Sequence, residues 1–312
     1  MDLIHYPGGD KPEAWRPPVV AIGNFDGVHL GHRAILEHVR ESARSCDASP
    51  VVLTFDPPPV RVLRPEKSPR FLMTPAQKFE AFEAAGMEGT AVVRFTAALS
   101  RWEPEAFVRD VLVSWLGVRE VWVGRDFLFG RDRSGTFEVL RTLGGVYGFG
   151  AAKVEPICLG GAPISSSRIR QLVSEGQVRE AAALLGGRYF IDGTVVHGDA
   201  RGRLLGFPTA NLRTGNELLP ADGVYAALVR RDGAVHPAVA NLGLRPTFHG
   251  GGGRSVEAHL LDVTGDLYGA VLRLYFVERL RDERRFDSAE ALVRQIRDDC
   301  RQARDVLDGV SV

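Results

Sequence analysis

Two histidines, His29 and His32, stand three residues apart just after a glycine-containing turn. The segment VVAIGNFDGVHLGHRAIL has the pattern of a strand, a turn and a helix, so both imidazoles share one face of the first helical turn. A helix N-terminus attracts phosphate, and Gly23 and Gly27 let the backbone approach a ligand closely. The pair can therefore donate hydrogen bonds to a phosphate undergoing substitution, although an ordinary polar helix start has the same pattern.

A second run of this kind extends from Gly198 to Asn211 and has the sequence GDARGRLLGFPTAN. The glycines at 198, 202 and 206 allow a loop to fold over phosphates. Thr209 and Asn211 are two apart on an extended segment, so their side-chain oxygens face one side and can bind one hard cation. Taken alone, the run also fits an ordinary turn.

The elements that must position these residues alternate over the first half of the chain. The β-branched runs PVVAIG, VVLTF, TAVVRF and REVWVG are each followed by residues with helical spacing, at 30–45, 75–85, 104–116 and 136–147. A further unit, AAKVEPI, precedes a serine-capped helix, ISSSRIRQLVSEG, and a short helix, VREAAALLG. This alternation predicts a parallel sheet with helices on both faces, and the continuous apolar runs are typical of strands covered on both sides.

The pattern changes after the glycines at 186 and 187. Strand-like runs separated by glycine and aspartate turns follow, and one late helix covers 288–307. The tripeptide at 231–233, Arg-Asp-Gly, predicts a hairpin turn, and the four glycines at 250–253 predict a loop tip. We expect a small antiparallel barrel here, with a domain boundary that separates 1–186 from 187–312.

Composition excludes several classes of protein. The 312 residues carry 39 basic and 39 acidic side chains, and each predicted domain is separately balanced, which disfavours a nucleic-acid partner. Cys46, Cys158 and Cys300 are too sparse for a disulfide framework or a structural zinc site. The first residues lack the apolar segment of a signal peptide, and no stretch is apolar enough for a membrane helix. We therefore expect a cytoplasmic protein with small-molecule substrates and no membrane partner.

The motifs together resemble those of one enzyme family. G-N-F-D-G-V-H-L-G-H resembles the H-x-G-H signature of nucleotidyltransferases, and in detail that of the bifunctional bacterial riboflavin kinase/FMN adenylyltransferases, the FAD synthetases. G-R-D-F-L-F-G at 124–130 with Arg133 and Gly135, I-S-S-S-R-I-R at 164–170 and the second half agree with it. The resemblance runs essentially end to end. It implies an α/β nucleotidyltransferase domain with a Rossmann-like parallel sheet, followed by a small antiparallel β-barrel riboflavin kinase domain with a C-terminal helix.

For the first domain, the resemblance implies that ATP binds across two turns while the phosphate of FMN attacks its α-phosphorus. His29 and His32 would be catalytic, and the ATP-binding residues would be Gly23, Phe25, Asp26, Gly27, His29, His32, Ser165, Ser166 and Arg168. Asp126 would face the flavin nucleotide. A phosphate monoester is already an anionic nucleophile, so the site needs positioning and charge stabilisation rather than a base. Pro58 stands where the family usually has a histidine, so the turn is retained but an imidazole that could contact phosphate is absent.

For the second domain, the resemblance implies a riboflavin kinase site. G-F-P-T-A-N matches the family's G-x-P-T-A-N motif, in which Thr209 and Asn211 hold Mg²⁺ and ATP together with Gly198, Gly202, Gly206 and Pro208. Glu257 matches the glutamate that takes a proton from the ribityl hydroxyl. The residues that would contact the flavin are Asn241, Arg281 and Phe286. The implied cofactor is Mg²⁺, with ATP as co-substrate and riboflavin, FMN and FAD as substrates or products.

Two other functions stay open at this point. In the first, the barrel is a flavin-binding sensor without catalysis, although such a sensor would not need Thr209, Asn211 and Glu257. In the second, the first domain adenylylates another phosphorylated substrate, such as a pantetheine or nicotinamide nucleotide.

Overall fold

A computed structural model describes residues 1–198, 202, 205–244, 254–263 and 265–312. The chain forms two compact units. One comprises Met1–Arg70 and Pro75–Ser165, and the other comprises Phe71–Thr74 and Ser166–Val312. Phe71 belongs to the second unit because its backbone N–H donates to Glu217 Oε2 at 3.2 Å. The division between 186 and 187 remains a prediction.

A six-stranded parallel sheet forms the centre of the first unit. Its strands are β1 (Asp2–Tyr6), β2 (Val19–Ile22), β3 (Pro50–Asp56), β4 (Gly89–Arg94), β5 (Glu120–Gly124) and β6 (Gly150–Val154). They lie in the order β1-β4-β3-β2-β5-β6, and every pair is parallel. The predicted Rossmann-like sheet is therefore confirmed. All four side chains of β2 are buried, as expected for a central strand covered on both faces.

The edge strand β1 was absent from the prediction. It pairs in parallel with β4, yet only Ile4 of its five residues is buried. The sequence DLIHY lacks the continuous apolar run that marks the inner strands. An edge strand of this kind is specified by its pairing partner more than by its own pattern.

The helices of the first unit follow the predicted spans closely, except for one short helix at 59–63 that was not predicted. They are α1 (Leu30–Ser45), α2 (Pro59–Leu63), α3 (Pro75–Ala84), α4 (Pro104–Phe107) and α5 (Phe137–Tyr147). The segment 104–116, predicted as one α-helix, changes at Val108 into a π-helix, Val108–Leu116. Three short 3-10 helices (Pro65–Lys67, Leu99–Arg101 and Arg131–Arg133) and a small antiparallel pair, β7 (Cys158–Leu159) with β8 (Ala162–Pro163), complete the unit.

The second unit contains a closed antiparallel barrel. Its strands are β9 (Phe190–Val196), β10 (Ala210–Thr214), β11 (Gly223–Arg231), β12 (Ala234–Leu244), β13 (Arg254–Leu260) and β14 (Val271–Arg281). They close in the order β10-β13-β12-β11-β14-β9, which confirms the predicted barrel. The predicted hairpin turn joins β11 to β12, and both its central residues, Asp232 and Gly233, have positive φ as a type I′ turn requires. The glycines at 250–253 lie outside the described residues.

Among the described residues of this unit, the barrel is accompanied by α6 (Ser166–Ser174), α7 (Val178–Leu185) and α8 (Ala289–Leu307). Helix α7 ends where predicted, with Gly186 in the left-handed conformation and its N–H bonded to Ala182 O. Ser288 caps α8 by accepting from the Ala291 N–H at 3.2 Å. Within the described ranges, no helix is long and apolar enough to cross a membrane.

Candidate active sites

The first candidate site is built on the turn that joins β2 to α1. Phe25, Gly27 and Val28 all have positive φ. Such a conformation is unfavourable for the two non-glycine residues, so packing must hold it. The Phe25 ring is 1% exposed and packs against Phe82 and His32, with centroid separations of 5.5 and 5.2 Å. The turn is therefore held rigidly at the carboxyl end of a central strand, where open α/β sheets bind ligands.

The glycines of this turn do not share one role. A Cβ on Gly23 would lie 3.1 Å from the Phe25 ring, so the missing side chain makes room for Phe25. Gly27, with φ of 89°, supplies a backbone conformation that favours glycine. The predicted close approach of a ligand therefore concerns Gly27 more than Gly23. Because the Phe25 ring is in the core, Phe25 can meet ATP only through its backbone.

His29 and His32 lie face to face at the start of α1. Their rings stack with centroids 3.6 Å apart and an interplanar angle of 15°. His29 is the N-cap residue, and its Nδ1 accepts a hydrogen bond from the backbone N–H of His32 at 3.3 Å. An accepting Nδ1 assigns the ring proton of neutral His29 to Nε2. The pair is therefore fixed by helix capping as well as by stacking.

Burial makes His32 a hydrogen-bond donor rather than a positive charge. Burial is the main reason that the pKa of His32 lies well below its ordinary value, and the positive charges of His29 and Lys78 lower it further. His32 Nδ1 is buried and has no hydrogen-bond partner among the described residues. At neutral pH the imidazole is uncharged, and a neutral ring has one N–H donor to offer a phosphate oxygen.

The other residues expected around the adenylyltransferase site fall on both sides of the division between the units. Ser165 ends the first unit, whereas Ser166 and Arg168 lie in the first turn of α6. Asp126 is exposed and follows β5, next to the strand that holds the histidine turn. Pro58 precedes α2 and stands just after the carboxyl end of β3. That the serines and Arg168 meet the histidines around ATP remains a prediction.

The sequence pattern did not single out Lys78, although its ammonium belongs to this site. It lies in the first turn of α3 and donates to Thr54 Oγ1 at 3.2 Å. Helical spacing alone gives no sign of this long-range contact. The one available signal was compositional, because only four of the 39 basic side chains are lysines.

The second candidate site is a row of polar side chains across three neighbouring barrel strands. Asn211 on β10 pairs with Glu257 on β13, and Glu257 pairs with Asn241 on β12. Directly paired residues project from the same face of a sheet. Thr209 extends the row, with its hydroxyl donating to Glu257 Oε2 at 3.3 Å. Residues that are far apart in sequence thus form one polar patch.

The oxygens of this patch suit a hard cation. The hydroxyl of Thr209, the amide of Asn211 and the carboxylate of Glu257 are oxygen donors of the type that Mg²⁺ prefers. Asn211 is 8% exposed. In the described ranges, no group of three or more His, Cys, Asp or Glu side chains could hold a metal, and this patch has only one carboxylate. One carboxylate with neutral oxygens is typical of a site where Mg²⁺ arrives with nucleotide phosphates.

Each glycine of the kinase motif also suits its position for a different structural reason. A Cβ on Gly198 would lie 2.3 Å from Asn211 Nδ2, so the missing side chain leaves room for the amide. Gly202 faces the Phe207 carbonyl in the same way, and Gly206 has a φ of 86°. Pro208 is exposed, and its carbonyl lies 2.8 Å from His259 Nδ1. Residues 199–201 and 203–204 of the motif lie outside the described part of the chain, as does the segment 245–248.

The three residues expected to contact the flavin differ in their surroundings. Asn241 Nδ2 donates to Glu283 Oε1 at 3.3 Å. Phe286 is half-buried. Arg281 forms a two-pronged ion pair with Asp299 of α8, with Nε–Oδ1 and Nη2–Oδ2 distances of 2.9 and 2.8 Å, and its contact with the flavin remains a prediction. The structure thus gives its guanidinium a role in holding α8 to the barrel.

The fold and these two sites define a nucleotidyltransferase unit joined to a kinase barrel. Residues 11–168 match the family model for FAD synthetase, and residues 185–307 match that for riboflavin kinase. The chain belongs to the family of bifunctional riboflavin kinases/FMN adenylyltransferases.

Curated relatives extend over nearly the whole chain. The bifunctional enzyme of Escherichia coli strain K12 is 39% identical over 288 residues, which is 92% of each chain. That of Pseudomonas fluorescens is 40% identical over 304 residues and that of Bacillus subtilis strain 168 is 37% identical over 310, each covering 97% of both chains. A crystal structure from Streptococcus pneumoniae titled as a macrolide-efflux protein has a TM-score of 0.87 and 30% identity, covering 98% of this chain and 99% of its own.

Proposed function

We propose that this protein phosphorylates riboflavin to FMN at the barrel and then adenylylates FMN to FAD at the parallel-sheet unit. The observation that carries the proposal is the row of Asn211, Glu257 and Asn241 on paired strands, with Thr209 hydrogen-bonded to Glu257. A barrel that only bound flavin would need no carboxylate beside a cation-binding pair. Family membership and the stacked histidines support the second step.

In the kinase step, Glu257 accepts the proton of the terminal ribityl hydroxyl while that oxygen attacks the γ-phosphorus of ATP. The bond to the β,γ-bridging oxygen breaks, and ADP leaves. Thr209 orients the carboxylate through its hydrogen bond to Oε2. Thr209 and Asn211 would hold Mg²⁺, which neutralises phosphate charge when bound. Gly198, Gly202 and Gly206 would let the loop cover the phosphates, and Asn241 and Phe286 would contact the flavin.

In the adenylyl transfer step, an oxygen of the FMN phosphate attacks the α-phosphorus of ATP and pyrophosphate leaves. The nucleophile carries negative charge already, so no residue needs to remove a proton. His29 and His32 donate N–H groups to phosphate oxygens as charge moves onto the leaving group. The turn at 23–28 positions them, while Ser165, Ser166 and Arg168 would bind the triphosphate and Asp126 the flavin nucleotide.

We also infer a reducing cytoplasmic location and a boundary between the two catalytic domains at 186/187. Cys46, Cys158 and Cys300 are all free thiols, as such a compartment favours. The boundary is supported by the left-handed glycine that ends α7 and by the start of the riboflavin kinase match at residue 185.

Chromatography of the products from riboflavin, ATP and Mg²⁺ tests the proposed function. We expect FMN first and FAD later, with no product when Mg²⁺ is chelated. If supplied FMN is adenylylated but riboflavin is unchanged, the barrel is a sensor. If neither flavin reacts, while a pantetheine or nicotinamide nucleotide is adenylylated, the substrate assignment of the first unit is wrong.

A further inference from the structure

Lys78 connects the ends of two adjacent central strands. Its Nζ donates to Thr54 Oγ1 at 3.2 Å, at the carboxyl end of β3. The same atom donates to the Asn24 carbonyl at 3.4 Å, in the turn that follows β2. Thr54 is fully buried and Lys78 is half-buried, so this is an internal contact and not a solvated surface charge. One ammonium therefore ties the histidine-bearing turn to the neighbouring strand.

The charges around Lys78 belong to the same site. Asp26 in the turn and Asp56 at the end of β3 face the ammonium, and they partly offset the burial that lowers its pKa. His32 approaches from α1, and the charge of Lys78 helps to keep the pKa of His32 low. Buried charges are costly unless they are paired, so the two carboxylates stabilise the ammonium here.

We propose that Lys78 is a positioning residue for adenylyl transfer, which holds the turn at 23–28 and the stacked imidazoles in their reactive geometry. This assignment rests on the adenylyl transfer proposed above. A lysine suits the position because its ammonium is a compact point charge, whereas a guanidinium is a broad planar fork. The chain otherwise uses arginine for most of its basic positions, which makes a lysine here a specific choice.

The proposal predicts a selective loss in the variant Lys78→Met, which keeps the length of the side chain and removes its charge. With FMN and ATP as substrates, kcat for FAD formation should fall by about 10–100-fold, because a small displacement of reacting groups has an effect of this size. Phosphorylation of riboflavin by the same preparation should be unchanged. The matched control is Lys67→Met, which removes an exposed lysine of the same unit and should leave both activities intact.

The pH profile separates the charge of Lys78 from its hydrogen bonds. Without the positive charge of Lys78, the pKa of His32 rises. In Lys78→Met, the inflection on the acidic side of the pH profile of kcat should therefore move to higher pH. In Lys78→Arg, it should return to the wild-type position. Thr54→Val removes one acceptor but retains the charge. It should lower kcat and leave the inflection in place.

Each outcome bears on a separate claim. If kcat and the inflection of Lys78→Met equal those of the wild type, or if both activities fall by the same factor, Lys78 is not a positioning residue. If Lys78→Met does not fold, the proposal is tested with Lys78→Arg and Thr54→Val instead. A wild-type kcat in Thr54→Val then overturns the proposal. A wild-type enzyme that makes no FAD from FMN would instead refute the proposed function.

Discussion

The two candidate sites are built by different structural means. The histidine site depends on a short continuous segment, whose left-handed turn is packed against Phe82 and whose imidazoles cap one helix. The kinase site depends on strand register, because Asn211, Glu257 and Asn241 meet only through the pairing of three strands. The first site should therefore be sensitive to local packing and buried charge. The second should be sensitive to barrel pairing and to single oxygen donors.

The largest effect should come from His29→Ala combined with His32→Ala. Losing one preorganised donor costs about 10²–10³-fold, so FAD formation from FMN should fall by at least about 10³-fold. Riboflavin phosphorylation should continue, and FMN should accumulate. Product chromatography measures both, and His38→Ala, on the exposed face of the same helix, is the control. FAD formation close to that of the wild type would remove the histidines from the mechanism.

The converse change is Glu257→Gln in the barrel. A positioned general base contributes about 10²–10⁴-fold, so FMN formation should fall within that range. Adenylylation of supplied FMN should persist, because the histidine site lies in the other unit. Glu278→Gln, a glutamate of β14 in a surface ion pair with Arg179, is the control. Equal loss of both activities would indicate a folding defect, and full kinase activity would exclude Glu257 as the base.

Arg281→Leu distinguishes a structural arginine from one that contacts the flavin. Asp299 is 2% exposed, and removing its partner leaves a buried charge unpaired. The free energy of unfolding of the barrel should fall by about 3–5 kcal/mol, with KM for riboflavin unchanged in the folded fraction. Urea unfolding measures the loss, and Arg301→Leu, on the surface of α8, should have little effect. A raised KM without a loss of stability would indicate that Arg281 contacts the flavin.

These differences explain what could be predicted from the sequence. Helix α1 and the inner strands have strong periodicity or continuous apolar runs, so their types and bounds were recognisable. The histidine pair was recognisable because its three-residue spacing lies within one helical turn. The register between the barrel strands could not be predicted. The resemblance named Asn211, Glu257 and Asn241 as site residues, and only the strand pairing shows that they form one row.

Long-range contacts of charged side chains could not be predicted from the sequence either. The contact of Lys78 with Thr54 and the ion pair of Arg281 with Asp299 join residues that are 24 and 18 positions apart. No local pattern encodes such partners, because both side chains look like ordinary surface charges in the sequence. The role of Gly198 was missed for the same reason, since it depends on where the Asn211 side chain lies.

The smallest effect on catalysis should come from separating the two domains. Residues 188–312 alone should convert riboflavin to FMN, because this length can form its own core. The longer fragment 166–312 should melt at a higher temperature. It keeps the Arg179–Glu278 ion pair of 3.2 Å and the buried face of α7, including Leu184 and Leu185. Thermal unfolding and an FMN assay compare them, and a folded 188–312 fragment without activity would refute kinase independence.

The most direct test of two separate sites is to mix two inactive variants. Glu257→Gln cannot efficiently make FMN, and the double variant His29→Ala/His32→Ala cannot efficiently use it. With riboflavin, ATP and Mg²⁺, each alone should yield almost no FAD. Their mixture should form FAD, because FMN released by one is adenylylated by the other. Each variant should keep the activity of its unchanged site. If it does, and the mixture still yields no more FAD than the two variants separately, the two steps do not occur at the two sites described.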